Sequence, residues 1–302
     1  MNGKISNLSQ IAYVRRYTIT DGREEGLKVV EVNNGVLRFM LNESKALDVM
    51  QLWHKGVNLS FVSKNGFTKR ETPFLNRFEG GMIYTCGLDS VGGREGFELH
   101  GSFHNIPATI IECRCDETEI KVVAETYDTS LFGKNLAMRR TVTTELMSDN
   151  LCICDELINH GTKEEDYALL YHINLGYPML DKDTEIISDP IFVQPRNKWS
   201  EENLAYRTVR KDCVDNEEET CYFMENKTPS VSVVNKKLGK TFNLSYSNDT
   251  LPYFIQWNSS ASQDYALGTE VATTLLDEQF KYSKIKAGEK TTFKLKIEVV
   301  GN

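Results

Sequence analysis

The sequence predicts an all-β protein, folded as one large, continuous sandwich domain over residues 1–302. Apolar and polar residues alternate with period two wherever a pattern can be read, and Gly, Asn, Asp or Pro separates the alternating runs. Only residues 43–56 (ESKALDVMQLWHKG) hint at helical spacing, and their Val, Trp and closing Gly keep a strand open as well. Because a sheet with one apolar face must bury that face, so many strands predict packed sheets.

The alternating runs follow one another along the whole chain. The last of them, TFKLKIEVV, places Phe293, Leu295 and Ile297 on one face and Lys294 and Lys296 on the other. This pattern is typical of a half-buried strand. The other runs, in chain order, are LKVVEV, VLRFML, TIIECRC, EIKVVAE, LCICDELI, ALLYHINL, SVSVV, TFNLSY and YFIQW.

Composition and charge exclude several classes of partner. The net charge of −8 and the pI near 5.3 argue against a nucleic-acid partner, which requires a clustered cationic surface. The first residues lack the apolar core of a secretion signal, and no stretch reaches the roughly 18 apolar residues of a membrane span. We therefore expect a cytoplasmic protein without a membrane partner. The charged stretch 209–227 predicts a long surface excursion.

The cysteine and glycine patterns give little support to a disulfide framework, a zinc site or a phosphate loop. The seven cysteines are odd in number and irregularly spaced, which does not describe a disulfide framework. The C-x-C pairs in TIIECRCDE and NLCICDEL are one residue too close for a zinc knuckle and favour buried strand cysteines. The glycine-dense residues 79–96 lack the G-K-[S/T] of a phosphate loop, so turns and the lining of a ligand cleft both stay open. No G-x-S-x-G elbow occurs.

The five histidines differ in their surroundings. His54 and His160 lie in turn-like contexts, which predicts surface positions. His100 and His104 (LHGSFHN) would point to one side of an extended segment, with metal binding as a minor alternative. His172, in LLYHINLGYPMLD, comes from a strand that should be well buried. Such an imidazole either bonds a backbone carbonyl or acts as a general acid.

A carboxylate partner for this histidine would favour the catalytic interpretation. Glu270, in YALGTEVAT, is a lone carboxylate in a small and apolar stretch, where it is either a loop residue or a site residue. A carboxyl in such surroundings should have a raised pKa and could serve as a base.

Four motifs together resemble a known family. LNRFEGG, ELHG, YHINLG and GTEVAT occur in the order of the landmarks of the aldose 1-epimerases, or galactose mutarotases. The resemblance implies a large antiparallel β-supersandwich (the galactose mutarotase-like fold) whose sugar cleft lies across a concave sheet. The stretch from His172 to Glu270 is shorter than is usual, and HINLGYPMLD replaces the family's usual wording. We therefore expect a divergent bacterial branch.

The resemblance also implies catalytic roles. The histidine matching His172 protonates the ring oxygen of the sugar, and the glutamate matching Glu270 removes the proton from the anomeric hydroxyl. The ring opens, the free aldehyde rotates about C1–C2, and closure gives the other anomer. The scheme requires no metal and no organic cofactor.

Further residues are predicted to bind the sugar. Arg77 and His100 match the family's sugar-binding arginine and histidine, and Asp181 is a candidate for its hydroxyl-binding aspartate. Trp257 offers an apolar face to a pyranose, although a core tryptophan is an equal alternative. The predicted binding set is Asn76, Arg77, His100, Asp181, Gln256 and Trp257.

The predicted function is a cofactor-free sugar epimerase that interconverts the α and β anomers of an aldose or a close derivative. Its partner is a small-molecule sugar, and the sequence carries no signal for an oligomeric state. One alternative is a carbohydrate-binding or regulatory protein that has lost turnover. Another is an epimerase of a phosphorylated or acidic sugar, whose anion could meet Arg94, Arg139 or Arg140.

Overall fold

The computed structural model describes residues 3–301 and is built almost wholly from β-strands. The strands, in chain order, are β1 (Tyr13–Thr18), β2 (Lys28–Asn33), β3 (Leu37–Asn42), β4 (Asp48–His54), β5 (Val57–Asn58), β6 (Ile83–Leu88), β7 (Thr109–Cys115), β8 (Glu119–Thr129), β9 (Asn135–Glu145), β10 (Asn150–Asn159), β11 (Glu165–Gly176), β12 (Glu185–Ile187), β13 (Pro190–Pro195), β14 (Thr220–Asn226), β15 (Ser230–Asn235), β16 (Lys240–Tyr246), β17 (Tyr253–Ser259), β18 (Ala266–Ala272), β19 (Ser283–Ile285) and β20 (Lys290–Gly301).

Helices are short. The α-helices are α1 (Phe74–Arg77) and α2 (Lys198–Glu202), and the 3-10 helices are Leu8–Gln10, Gly22–Glu24, Phe103–Asn105 and Leu204–Arg207. Among residues 3–301, no helix is long and apolar enough to cross a membrane.

Three antiparallel sheets form the architecture. The first has the order β1-β2-β3-β4-β5, and the second has the order β12-β15-β16-β20-β10-β9-β8-β7. The third has the order β13-β14-β17-β18-β11-β19, with β6 also paired to β11. The all-β prediction is therefore confirmed, and the predicted strand in TFKLKIEVV is β20, with Phe293, Leu295 and Ile297 buried and Lys294 and Lys296 exposed.

The third sheet buries both of its faces. On β11, Leu169, Tyr171 and Ile173 belong to the main core, which draws side chains from all three sheets. Ala168 and Leu170 belong to a smaller apolar cluster on the opposite face. Successive side chains of a strand point to opposite faces. The side chain at position 172 therefore points to the same face as Ala168 and Leu170, away from the main core.

Two segments with ambiguous or charged sequences form strands. Residues 43–56 contain β4, so the strand alternative is the one that the fold uses. The prediction of a surface excursion over 209–227 is wrong in its second half, which is β14, a strand paired on both sides. Its charges had concealed the alternation of TCYFMEN, in which nearly every side chain is buried.

Two histidine predictions are also wrong. His54 is fully buried, because its ring has polar partners on both sides: Nε2 lies 2.8 Å from Asp149 Oδ1 and Nδ1 lies 2.8 Å from Lys240 Nζ. His100 and His104 do not share one side of an extended segment, because a left-handed residue at His100 and the 3-10 helix Phe103–Asn105 turn the chain between them.

The cysteines carry no cross-links. All seven are free, and those of the two C-x-C pairs lie on β7 and β10, where they are half-buried rather than fully buried.

Candidate active site

A cavity of about 1070 Å³ opens on the face of the third sheet that is turned away from the main core. Side chains from β11, β14, β17 and β18 form its floor, and the segments around α1 and residues 92–100 contribute to its walls. Four of the predicted site residues line it: His100, His172, Trp257 and Glu270.

Strand pairing brings the predicted acid and base together. The register of β11 on β18 pairs Leu170 with Ala272 and Asn174 with Gly268, so His172 and Glu270 lie side by side. His172 Nε2 lies 3.2 Å from Glu270 Oε1. Both residues are buried, with exposed fractions of 5% and 2%.

Gly268 makes room for this pair. A Cβ at position 268 would lie 2.6 Å from Glu270 Oε1 and 3.2 Å from His172 Cε1. The first distance is shorter than any ordinary van der Waals contact, so a side chain there would displace the carboxylate. The glycine of GTEVAT therefore allows the side chains of His172 and Glu270 to lie this close together.

Burial governs the protonation of the pair. Desolvation raises the pKa of Glu270 well above the usual range, and the nearby carboxylate of Glu219 adds to this effect, while Arg196 opposes it. Desolvation, reinforced by His100, lowers the pKa of His172 to about 3. Burial therefore favours the neutral form of the Glu270 carboxyl and keeps the imidazole of His172 neutral near pH 7.

The imidazole of His172 keeps one nitrogen without a partner: Nδ1 is buried and makes no hydrogen bond in the structure. Around the ring lie three aromatic neighbours, with centroid distances of 5.4 Å to Phe78 and 5.5 Å each to His100 and Trp257. Burial also lowers the pKa of His100, to about 4, although Glu219 opposes the shift. His100 is therefore neutral, and because Nδ1 accepts a hydrogen bond from Gly92 N at 3.4 Å, Nε2 is left as a donor.

One wall of the cavity is a chain of polar contacts. Trp257 Nε1 donates to Glu219 Oε2 at 2.5 Å, and Arg196 Nη2 lies 2.6 Å from Glu219 Oε1. The bond to Glu219 holds the indole of Trp257 in place, with its ring edge-on to His172. Glu219 is about half-exposed, so lone pairs of its carboxylate remain open to the cavity.

Sequence reasoning missed Glu219, Cys221 and Arg196, all of which line the cavity. The first two fall in the stretch that was predicted to be a surface excursion. The alternation Cys221, Phe223 on one face of β14 and Tyr222, Met224 on the other was the signal that could have placed them.

The other predicted binding residues lie outside the cavity lining. Arg77 is buried at the end of α1, where Nη1 donates to Thr72 O at 2.5 Å and Nη2 lies 2.6 Å from Glu98 Oε2. Asn76 precedes it on α1 and is exposed. The structure thus brings neither side chain to His172.

Gln256 and Asp181 are also elsewhere. Gln256 alternates with Trp257 on β17 and is buried on the opposite face, where Nε2 donates to Arg207 O at 3.1 Å. Asp181 caps a turn, with Oδ1 accepting from Lys182 N at 2.8 Å and Oδ2 lying 2.7 Å from Lys237 Nζ.

The charges that line the cavity are mostly negative. Apart from Glu270, whose burial favours the neutral form, the acidic members are Glu217, Glu219, Asp264, Asp277 and Glu278, and the basic members are Lys64, Arg94 and Arg196. Arg139 instead pairs with Glu125 on the second sheet, and Arg140 is buried on the side of the third sheet that faces the main core. Of the three arginines predicted to meet an anionic sugar, only Arg94 reaches the cavity.

No metal site accompanies the pair. Within residues 3–301, no three His, Cys, Asp or Glu side chains lie close enough together to hold a metal ion.

The three-sheet sandwich has the galactose mutarotase-like fold. A protein from Klebsiella pneumoniae subsp. pneumoniae MGH 78578, described as a proposed aldose 1-epimerase, matches with a TM-score of 0.86 at 17% identity, over 96% of this chain and 83% of that one. A galactose mutarotase-like protein from Clostridium acetobutylicum matches with a TM-score of 0.70 at 12% identity, over 97% of this chain and 100% of that one. No protein with a curated description matches the sequence significantly.

Within that fold class, the chain belongs to the family described as a domain of unknown function (DUF4432), whose model matches residues 24–299. The family carries no assigned activity, which agrees with the divergent branch that the motifs predicted. The fold is that of sugar epimerases, and the chemistry has to be argued from the cavity itself.

Proposed function

We propose that the protein is a cofactor-free 1-epimerase of an aldose or a close aldose derivative, with His172 as the acid and Glu270 as the base. The observation that supports this most directly is the 3.2 Å contact between His172 Nε2 and Glu270 Oε1 on the floor of a cavity large enough for a sugar. A buried carboxyl whose neighbour is a neutral imidazole, and an imidazole with a buried Nδ1 that makes no hydrogen bond, are expensive to bury, and such perturbed pairs are typical of functional sites.

The protons of this pair balance the reaction. Moving the proton of Glu270 onto His172 creates an imidazolium and a carboxylate without any exchange with solvent. The imidazolium then gives its proton to the ring oxygen as the C1–O5 bond breaks, while the carboxylate takes the proton of the C1 hydroxyl as the aldehyde forms. The pair returns to the neutral state, and the same steps in reverse close the ring on the other face of C1.

The surroundings of the pair suit this chemistry. Transfer by a positioned acid or base typically contributes about 10²–10⁴-fold. Trp257 lies beside His172 with a fixed indole against which the apolar face of a pyranose can pack. Glu219 and His100 offer a hydrogen-bond acceptor and a neutral imidazole to the ring hydroxyls.

The proposal is tested by following freshly dissolved α-glucose and α-galactose by polarimetry or NMR. We expect the protein to accelerate equilibration, and we expect Glu270→Gln and His172→Ala each to reduce the acceleration by about 10²–10⁴-fold. Asp249→Asn, an exposed residue on the β16–β17 loop, is a matched control that should leave it unchanged.

Two results would contradict the proposal: no sugar equilibrates faster than in buffer, or both active-site variants retain the full acceleration. Saturable sugar binding in calorimetry without accelerated anomerisation would instead support a carbohydrate-binding protein. The excess of carboxylates around the cavity weighs against a phosphorylated or acidic sugar as the substrate.

A further inference from the structure

We propose, on the basis of the function proposed above, that the preferred substrate is the reducing end of an uncharged disaccharide or longer oligosaccharide rather than a free monosaccharide. The catalytic pair occupies one end of a cavity that continues across the sheet, and the far end carries polar groups of its own.

The strand registers give the length of the cavity. His172 lies beside Glu270, Glu270 pairs with Ile255, Ile255 pairs with Phe223, and Phe223 pairs with Gln194. All five residues line the same cavity. Four steps between neighbouring strands, each about 4.8 Å, give a row roughly 19 Å long. A single pyranose ring covers little more than one of these steps.

The volume supports the same conclusion. The cavity measures about 1070 Å³. Pockets for drug-sized ligands occupy about 300–1,000 Å³, so the space exceeds what one sugar ring needs. A monosaccharide held between His172 and Glu270 would leave the row beyond Ile255 filled with water.

The far end has the chemistry of a second sugar site. Its floor is apolar and is lined by the buried side chains of Ile255 and Phe223 and the partly buried side chain of Leu276. At its end, Gln194 Nε2 donates to Asp277 Oδ2 at 2.5 Å. An amide and a carboxylate fixed together present both donors and acceptors to hydroxyl groups, while an apolar floor accepts the C–H face of a ring.

The linkage and charge of the substrate follow from this arrangement. The C1 hydroxyl must be free at the catalytic pair, so the second unit is joined through another hydroxyl of the reducing sugar. At the far end, Arg94 lies over the Phe280 ring near Asp277 and Glu278, while Arg196 is paired with Glu219. Because the carboxylates there outnumber the cations, the second unit is uncharged rather than anionic.

The test compares kcat/KM for the equilibration of glucose, galactose, cellobiose, maltose and lactose by the full-length protein. We expect at least one disaccharide to exceed its own reducing-end monosaccharide by about tenfold or more, a difference that a few added contacts can supply. Gln194→Ala and, as an isosteric change, Asp277→Asn should each bring this ratio down towards one. Asp249→Asn should leave the ratio unchanged.

The outcomes separate the two proposals. If monosaccharides equilibrate as fast as or faster than every disaccharide, or if both far-end variants keep the wild-type ratio, this inference is overturned while the epimerase proposal stands. If no sugar of either size is accelerated, the epimerase proposal fails and the inference fails with it.

Discussion

Strand β11 separates two buried clusters of ionisable groups that differ in their electrostatics. Tyr171 points into the first cluster, which lies on the main core side and contains Arg140, Asp155 and Asp48. His172, the next residue, points into the second cluster, which is the proposed catalytic pair that it forms with Glu270. Both clusters are removed from water, so the comparison isolates the effect of pairing.

The core cluster is balanced. Arg140 lies 2.7 Å from Asp155 and 2.5 Å from Asp48, and the hydroxyl of Tyr171 donates to Asp155 at 2.7 Å. Burial opposes ionisation of Asp48, but Arg140 and a hydrogen bond with His104 outweigh it, and its pKa is lowered. The buried carboxylates of this cluster stay ionised because each one pairs with the guanidinium of Arg140.

The catalytic pair has no comparable balance. Among residues 3–301, no Lys or Arg forms an ion pair with Glu270; its neighbour is the neutral imidazole of His172, and desolvation raises the pKa of Glu270. His172 leaves Nδ1 without a partner. The contrast teaches that burial alone does not distinguish structural from chemical groups. What distinguishes them is whether the protein itself completes their interactions or leaves them to a ligand.

The largest expected effect is on the balanced cluster. Arg140→Met removes one cation and leaves two buried carboxylates uncompensated, which should lower the free energy of unfolding by about 3–5 kcal/mol. Urea unfolding followed by circular dichroism measures the change. Arg139→Met alters the neighbouring residue of β9, which is half-exposed, and should cost much less. Equal losses for the two variants would show that pairing is not what stabilises the cluster.

The next effect concerns the closeness of the catalytic pair. Gly268→Ala places a methyl group 2.6 Å from the original position of Glu270 Oε1 and must shift the carboxylate. A misplacement of about 1 Å can cost 10²-fold in rate, so kcat for sugar equilibration should fall by about that factor. Gly3→Ala, where a Cβ meets nothing within 4 Å, is the matched control. Retention of wild-type kcat by Gly268→Ala would show that the pair does not require this contact.

A third effect gives the two clusters opposite dependences on pH. The pKa of Glu270 is raised in the folded protein, so its contribution to stability is present below about pH 4.3 and is lost as pH rises towards the folded pKa. Glu270→Gln should therefore gain stability relative to the wild type as pH rises from about 4.3 towards the folded pKa of Glu270, by at most about 1.4 kcal/mol per pH unit, and the difference should level off above that pKa.

Asp48 shows the reverse behaviour. Because its pKa is lowered, its contribution is present above about pH 3.9 and is lost as pH falls through the folded pKa. Asp48→Asn should therefore be less stable than the wild type at neutral pH, by a margin that narrows on acidification. Unfolding midpoints measured in urea across the pH range check both signs, and parallel curves for the two variants would refute the contrast.

The smallest expected effect is at Asp181. Its carboxylate caps a turn and pairs with Lys237 outside the cavity lining, so Asp181→Asn should change neither the rate of sugar equilibration nor its KM measurably. Polarimetry with saturating and subsaturating sugar checks this. A raised KM would restore Asp181 as a sugar ligand and would require the turn to move towards the cavity.

Much of this fold could be predicted because alternation is a local property. The runs around β11 and β20 show which residues are buried. The order of the motifs, through the resemblance to the epimerase family, predicted that His172 and Glu270 share one site. Pairing partners across the sheet are not local. Glu219 is brought to Trp257 by the register of β14 on β17, which no single run discloses. For the same reason the sequence could not show that Gln256 faces away from the cavity.

The adjacency of Tyr171 and His172 on β11 has a consequence for how this protein can change. A slip of one residue in the pairing of β11 would exchange the two faces, moving the imidazole into the core and the phenol into the cavity. Leu169, Ile173 and Leu175 would leave the core at the same time, so the core itself selects the alignment that exposes His172 to the cavity. Substitutions in the surrounding loops can therefore alter which sugar enters while the reactive residues keep their positions, which makes those loops the natural place to redesign selectivity.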